Sequence, residues 1–215
     1  MAKNKILIGL LGGTFDPIHF GHLEIAERIL KQLHFAEIQF IPSGHPPHRE
    51  PIASAKDRLA MIKLAIAPYK NFVLNAIETT TQQTSYTIDT LKKLKQQMQN
   101  KTLCFILATD AFSKFNQWKD WQSILDYCHL IIAPRPDFPL PDESWMRDLL
   151  AQHEVKSVNE LYEKESGYIL IQDISKSRIS ATKIRKAFAT GHFPEDMLPK
   201  SVIDYIRQHH LYHEQ

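Results

Sequence analysis

The chain has 215 residues, of which 43% are hydrophobic, and carries 26 Lys and Arg against 24 Asp and Glu, a formal net charge of +2 at pH 7. That length and balance suit a folded chain with a sizeable core, and the near-neutral charge offers no electrostatic footprint for nucleic acid or an acidic membrane surface. No apolar run approaches the roughly 18–20 residues of a spanning helix, and the apolar stretch 6–11 is too short for a secretory leader, so the cytosol is the expected location.

In chain order, the continuous apolar run 5–11 predicts a strand, and Leu23, Ala26, Leu30 and Leu33 recur at helical spacing within 20–34. A strand over 37–41, a helix over 57–67, a strand over 72–74 and a helix over 87–99 follow. Two further apolar runs predict strands at 103–108 and 129–133. The segment 134–142 holds four prolines and must leave regular structure. Beyond it come a helix over 143–153, a strand over 168–171, and helices near 180–190 and 199–209. Apolar runs without polar alternation are typical of parallel strands buried on both faces. Their alternation with helices implies βαβ units joined by right-handed crossovers. The expected fold is α/β: a Rossmann-like, doubly wound, mostly parallel sheet with helices on both faces. Residues 1–215 read as one domain, with a C-terminal helical part over 178–215. Cys104 and Cys128 sit in or beside apolar runs and read as buried thiols rather than a disulfide, and no compact Cys/His cluster suggests a metal site.

Ligands of open parallel sheets gather outside the carboxyl ends of the strands, where the chain reverses direction. The first such end is Gly12-Gly13-Thr14-Phe15-Asp16-Pro17-Ile18-His19-Phe20-Gly21-His22. Two glycines admit a ligand close to the backbone. The helix start behind them presents unpaired N–H groups and a positive dipole end, a natural seat for phosphate. His19 and His22 stand three apart and share one helix face, and Gly21 leaves the groove between them clear. The loop matches neither the P-loop pattern nor Gly-x-Gly-x-x-Gly, which excludes two familiar phosphate-binding chemistries.

This segment resembles the signature of nucleotidyltransferases that carry His-x-Gly-His on a Rossmann-like sheet. The longer string is similar to that of the bacterial nicotinate-nucleotide adenylyltransferases. The resemblance extends along nearly the whole chain and implies adenylyl transfer from ATP to nicotinate mononucleotide. Under it, Gly12, Gly13, Thr14, Phe15, His19 and His22 bind the ATP phosphates, and His19 and His22 act in catalysis. The segment 41–49 resembles the family's Pro-Pro-His loop and implies nicotinate-nucleotide contacts from Ser43, His48 and Arg49. Ser85, Tyr86 and Thr87 correspond to the family's Ser-Tyr-Thr at the pyridine ring, with Thr87 toward the nicotinate carboxylate, and Trp118 to its stacking aromatic. Asp110 implies a contact near the adenosine ribose, although Ala108 stands where the family usually has Gly. Arg135 corresponds to the Arg-Pro element near adenine. Ser180, Thr182 and Arg185 correspond to the element that grips the β- and γ-phosphates, Arg185 with a catalytic part.

The implied partners are ATP and nicotinate mononucleotide, with Mg²⁺ arriving on ATP, no tightly bound cofactor, and neither nucleic acid nor membrane. Two rivals stay open: another adenylyltransferase of the same superfamily, such as the phosphopantetheine enzyme, and a catalytically silent nucleotide-binding module. The residues leave nicotinate against nicotinamide preference and oligomeric state undecided.

Overall fold

The computed structural model describes residues 5–47, 50–81, 83–135, 138–174 and 179–213. Two of the expected site residues, His48 and Arg49, lie outside the described residues. Seven strands form one sheet: β1 (Ile6–Gly13), β2 (Glu37–Pro42), β3 (Phe72–Leu74), β4 (Lys101–Ala108), β5 (His129–Ala133), β6 (Glu154–Val155) and β7 (Ile169–Ile171). Their order is β3-β2-β1-β4-β5-β7-β6, and every pairing between them is parallel. The helices are α1 (Phe20–Leu33), α2 (Ala55–Ile66), α3 (Thr87–Gln97), α4 (Thr109–Phe112), α5 (Ser144–His153), α6 (Ala181–Ala189) and α7 (Lys200–Gln208).

Each strand expected from the apolar runs forms, within two residues of its predicted bounds. Among the strands and α-helices two went unpredicted because they are too short to show a period, the two-residue β6 and the four-residue α4, as did three short 3-10 helices at Phe115–Gln117, Trp121–Asp126 and Val158–Tyr162. Side-chain alternation along the strands divides the core into two layers. Leu7, Leu11, Phe40, Ile106 and Ile131 face one layer, which α1, α2, α6 and α7 cover. Ile8, Leu10, Phe105, Leu107 and Leu130 face the other, under α3 and α5. The C-terminal helices thus share a layer with α1 through Ile184, Phe188, Val202 and Ile206.

Cys104 and Cys128 are free and buried, one in each layer. Burial pushes the Cys128 thiol up to about 12, so it stays protonated and inert at neutral pH. Among the described residues no helix is long and apolar enough to cross a membrane.

From β1 the chain winds outward through β2 to the β3 edge, then crosses back to place β4 on the other flank of β1. The carboxyl ends of β1 and β4 therefore open the crevice in which an open α/β sheet holds its ligand.

Candidate active site

β1 runs out into Gly12 and Gly13, and bare backbone is needed at Gly12. A Cβ on Gly12 would lie 3.0 Å from Cζ of Phe105 on β4, so any side chain would have to displace that ring. Phe15 follows in the left-handed region at φ 49°. Its ring is 1% exposed and packs 5.8 Å from Phe40 and 4.9 Å edge-on to His22. Of the expected ATP contact at Phe15, only the backbone is therefore available; its side chain roofs the core and props a histidine.

His19 caps α1, and its backbone N–H donates to Nδ1 of His22 at 3.3 Å. The two imidazoles stack at 3.7 Å between centroids with an interplanar angle of 23°, the shared face that their spacing predicted. Both line a cavity of about 260 Å³ between the ends of β1 and β4, together with Gly12, Gly21, Ala108, Asp110, Arg135 and Ser180. Nδ1 of His19 is buried and has no hydrogen bond of acceptable geometry among the described residues. A buried polar atom without a partner is uncommon in folded proteins and points to a missing acceptor or donor.

Burial, reinforced by the Arg135 guanidinium, drives the His22 pKa down to about 3. Burial also holds His19 well below its ordinary value, with His22 and Arg135 adding to the effect. Both rings are neutral at pH 7. Because Nδ1 of His22 accepts a hydrogen bond, its proton sits on Nε2, which leaves that nitrogen a donor.

His129, outside the cavity, is neutral as well. Its Nδ1 accepts from the Tyr168 amide at 3.0 Å, its Nε2 lies 3.3 Å from the Lys164 carbonyl, and burial lowers its pKa to about 4. In the unfolded chain these histidines protonate near pH 6.5. The stability they permit is complete above about pH 6.5 and is lost as pH falls from there toward 4 and below. For His129 alone the loss amounts to about 3 kcal/mol at the acid end. Thermal midpoints of the ligand-free protein should accordingly decline from pH 7 to pH 4.5. A flat profile over that range would show that these rings are not held neutral.

Arg135 knits the cavity wall together. Its amide donates to Thr109 Oγ1 at 3.1 Å, Nη1 meets Asp110 Oδ2 at 3.1 Å, and Nη2 donates to the Ile179 carbonyl at 3.3 Å. Asp110 is thus an ion-pair partner in the first turn of α4 and not its cap. Ser180 caps α6, accepting from the Lys183 amide at 3.3 Å. Arg185 lies elsewhere than the histidine cavity. Its Nη1 donates to the Asp16 carbonyl at 2.6 Å and Nη2 to Thr182 Oγ1 at 3.3 Å. With Thr182 it lines an adjoining groove beside Ile52 and Tyr212.

Of the residues expected at the pyridine nucleotide, Ser85, Tyr86 and Thr87 stand at the start of α3. The Ser43 amide donates to the Gly13 carbonyl at 2.9 Å, tying the β2 exit to the glycine turn. His45 and Ser85 exchange hydrogen bonds: the Ser85 amide donates to the His45 carbonyl at 3.0 Å, and the His45 amide donates to Ser85 Oγ at 3.3 Å. Glu78 sits behind this junction, accepting from Thr90 Oγ1 at 2.7 Å, and burial raises its pKa. Ser85 and Tyr86 line a groove of about 300 Å³ with Glu78 and Asp89. Tyr86 caps α3 and Thr87 opens it. Trp118 is half-buried, 6.2 Å from Phe105 and 5.6 Å from Phe115, so its ring braces the wall beneath Gly12.

Three residues of this region were given no role from the sequence, Asp16, Arg58 and Glu78, and a fourth, Tyr212, reads there only as part of a packed C-terminal tail. One signal was present for Arg58, which interrupts the buried stripe of Met61, Ile62 and Ala65 on α2 at helical spacing.

A family model described as cytidylyltransferase-like matches residues 10–187. A Coxiella burnetii (strain RSA 331 / Henzerling II) protein named "Probable nicotinate-nucleotide adenylyltransferase" is 47% identical over 212 residues, covering 97% of this chain and 99% of the relative. An Aeromonas salmonicida (strain A449) protein of the same name is 41% identical over 209 residues, covering 97% and 98%. Among solved structures, Plasmodium falciparum nicotinic acid mononucleotide adenylyltransferase complexed with NaAD aligns with a TM-score of 0.75 over 96% of this chain and 97% of that one. At 21% identity that likeness speaks for the fold. Matched over nearly its full length at these identities, the chain belongs to the nicotinate-nucleotide adenylyltransferase family.

Proposed function

We propose that the chain transfers the adenylyl group of ATP to nicotinate mononucleotide, giving deamido-NAD and pyrophosphate in the cytosolic synthesis of NAD. The observation that carries this reading is the stacked His19–His22 pair, with its unpartnered Nδ1, lining the cavity at the reversal of the sheet. A buried imidazole nitrogen without a partner calls for one, and a phosphate oxygen would serve where that nitrogen carries the ring proton.

A phosphate oxygen of nicotinate mononucleotide attacks the α-phosphorus of ATP in line. The new P–O bond forms as the bond to pyrophosphate breaks, and the electron pair leaves on the pyrophosphate oxygen. The nucleophile is already anionic, so no general base is required, and catalysis rests on placement and on charge stabilisation. In this scheme His19 and His22 donate to the oxygens around the α-phosphorus. Amides from Gly13 to Phe15 and the α1 N-terminus receive phosphate charge, and Arg135 sets the potential of the wall with Asp110. Arg185, held by the Asp16 carbonyl and Thr182, keeps further N–H donors with which it would meet the triphosphate. Asp110, already paired with Arg135, is the one carboxylate lining the cavity among the described residues, so Mg²⁺ would be held mainly by the ATP phosphates and water, where it would offset phosphate charge. Ser43, Ser85, Tyr86, Thr87 and Trp118 would hold the nicotinate nucleotide.

The test is pyrophosphate release from ATP with nicotinate mononucleotide, nicotinamide mononucleotide or phosphopantetheine as acceptor. Turnover is expected to be fastest with nicotinate mononucleotide. Turnover with phosphopantetheine alone would move the chain to the neighbouring activity, and silence with all three would make it a binding module.

A further inference from the structure

Three polar side chains that the reaction does not use are buried together behind the glycine turn. Arg58 is 1% exposed, Asp16 4% and Tyr212 9%. Arg58 reaches three segments at once: Nη1 donates to the Thr14 carbonyl at 2.8 Å, Nε to the Ala53 carbonyl at 3.3 Å, and Nη2 to the Gly44 carbonyl at 3.5 Å. Thr14 belongs to the turn that carries the histidines, and Gly44 follows Ser43 in the loop leaving β2. The counter-charge is Asp16. Its carboxylate accepts from the Ile52 amide at 2.8 Å, the Ala53 amide at 3.1 Å and the Tyr212 hydroxyl at 2.7 Å. The C-terminal tail is thereby fastened to the turn, and the Asp16 carbonyl holds Arg185.

Burial alone lowers the Arg58 pKa, while Asp16 and Tyr212 oppose that shift. A buried ion cluster is a poor investment if stability is the only return, since apolar residues of equal volume serve as well or better. What a guanidinium adds is a rigid planar fork of donors, able to fix several carbonyls in one geometry; an ammonium group cannot do so from a single point.

We infer that Arg58 is a positioning residue for adenylyl transfer: through the carbonyls of Thr14 and Gly44 it sets the separation of the two substrate-bearing loops, with Asp16 and Tyr212 as its buried counter-group. It touches neither substrate. The inference rests on the proposed placement of ATP at the histidine turn and of the nicotinate nucleotide at the Ser43 loop. An in-line displacement between two separately held substrates is sensitive to that spacing, and a misplacement of about 1 Å can cost roughly 10²-fold in rate.

Arg58→Lys keeps the charge and loses the fork. Steady-state pyrophosphate release, binding of ATP alone and of nicotinate mononucleotide alone by calorimetry, and thermal midpoints would be measured on the full chain. The expected result is a kcat lowered ~10–100-fold in folded protein, with each separate affinity within about threefold of wild type. Tyr212→Phe, which deletes one hydroxyl and keeps the ring, should lower kcat by a smaller factor in the same pattern. Were Arg58→Lys unable to fold, Tyr212→Phe decides by the same criterion. A wild-type kcat in the folded variant, or a loss confined to KM, overturns the inference. A wild-type enzyme silent with ATP and nicotinate mononucleotide overturns the proposed reaction and this inference with it, whereas an active wild type with unaffected variants overturns this inference alone.

Discussion

Replacing His19 with alanine is expected to lower kcat by about 10²–10³-fold, the usual cost of removing one donor aimed at transition-state charge. The fold should survive. His19 stacks on His22 and closes the first turn of α1 through its backbone, whose bonds the substitution keeps: the carbonyl accepts from the His22 amide at 2.9 Å and the Leu23 amide at 3.3 Å, and the amide donates to His22 Nδ1. Removing the ring also removes a buried nitrogen that lacks a partner and a histidine that burial forces to stay neutral. The variant should therefore lose less stability on acidification than wild type. Turnover and thermal midpoints at pH 7.5 and 5 separate the two effects. A kcat near that of wild type would remove His19 from the mechanism, whatever its effect on folding.

The largest effect on stability is expected from Gly44→Ala. An added Cβ would fall well inside van der Waals contact with the Glu78 carbonyl oxygen and 2.8 Å from its carbon. The obstacle is backbone, and it has little freedom to move: the Glu78 side chain is tied to Thr90, and the loop on either side of Gly44 is tied to Gly13 and Ser85. Overpacking of this kind typically costs about 1–3 kcal/mol. For a chain of this size that is roughly 2–4 °C of thermal midpoint per kcal/mol. The strain also falls on the junction proposed to hold the nicotinate nucleotide, so KM for that substrate should rise more than KM for ATP. An unchanged midpoint would mean that the loop yields freely and that Gly44 is not a close-packed contact.

The two substitutions probe different levels of legibility. The place of His19 at a phosphate seat could be read from the sequence, because a strand exit, a glycine pair and two histidines three apart are all local features, while its catalytic part is what the family resemblance implies. The importance of Gly44 could not be read so. Its neighbour Glu78 lies on another segment, and nothing in the spacing of either residue reveals that their backbones touch. Trp118 shows a middle case. Its place after β4 was legible, but its packing on Phe105 and Phe115, which turns it into a brace for the wall under Gly12, depends on how the β4 layer closes.

The amino-acid order by itself determined the alternation of buried strands and amphipathic helices, the position of the glycine turn, and the pairing of His19 with His22 on one face. These follow from side-chain periodicity and turn chemistry, which act over a few residues. Only the tertiary structure decided that Arg185 is held by the Asp16 carbonyl, that Asp16 receives the hydroxyl of Tyr212 from 196 positions away, and that Arg58 bridges three separate carbonyls. It also decided that the histidine pair is neutral. A protonation state depends on how much water the packed chain excludes and on which charge lies beside the ring, and both are settled only when distant segments meet.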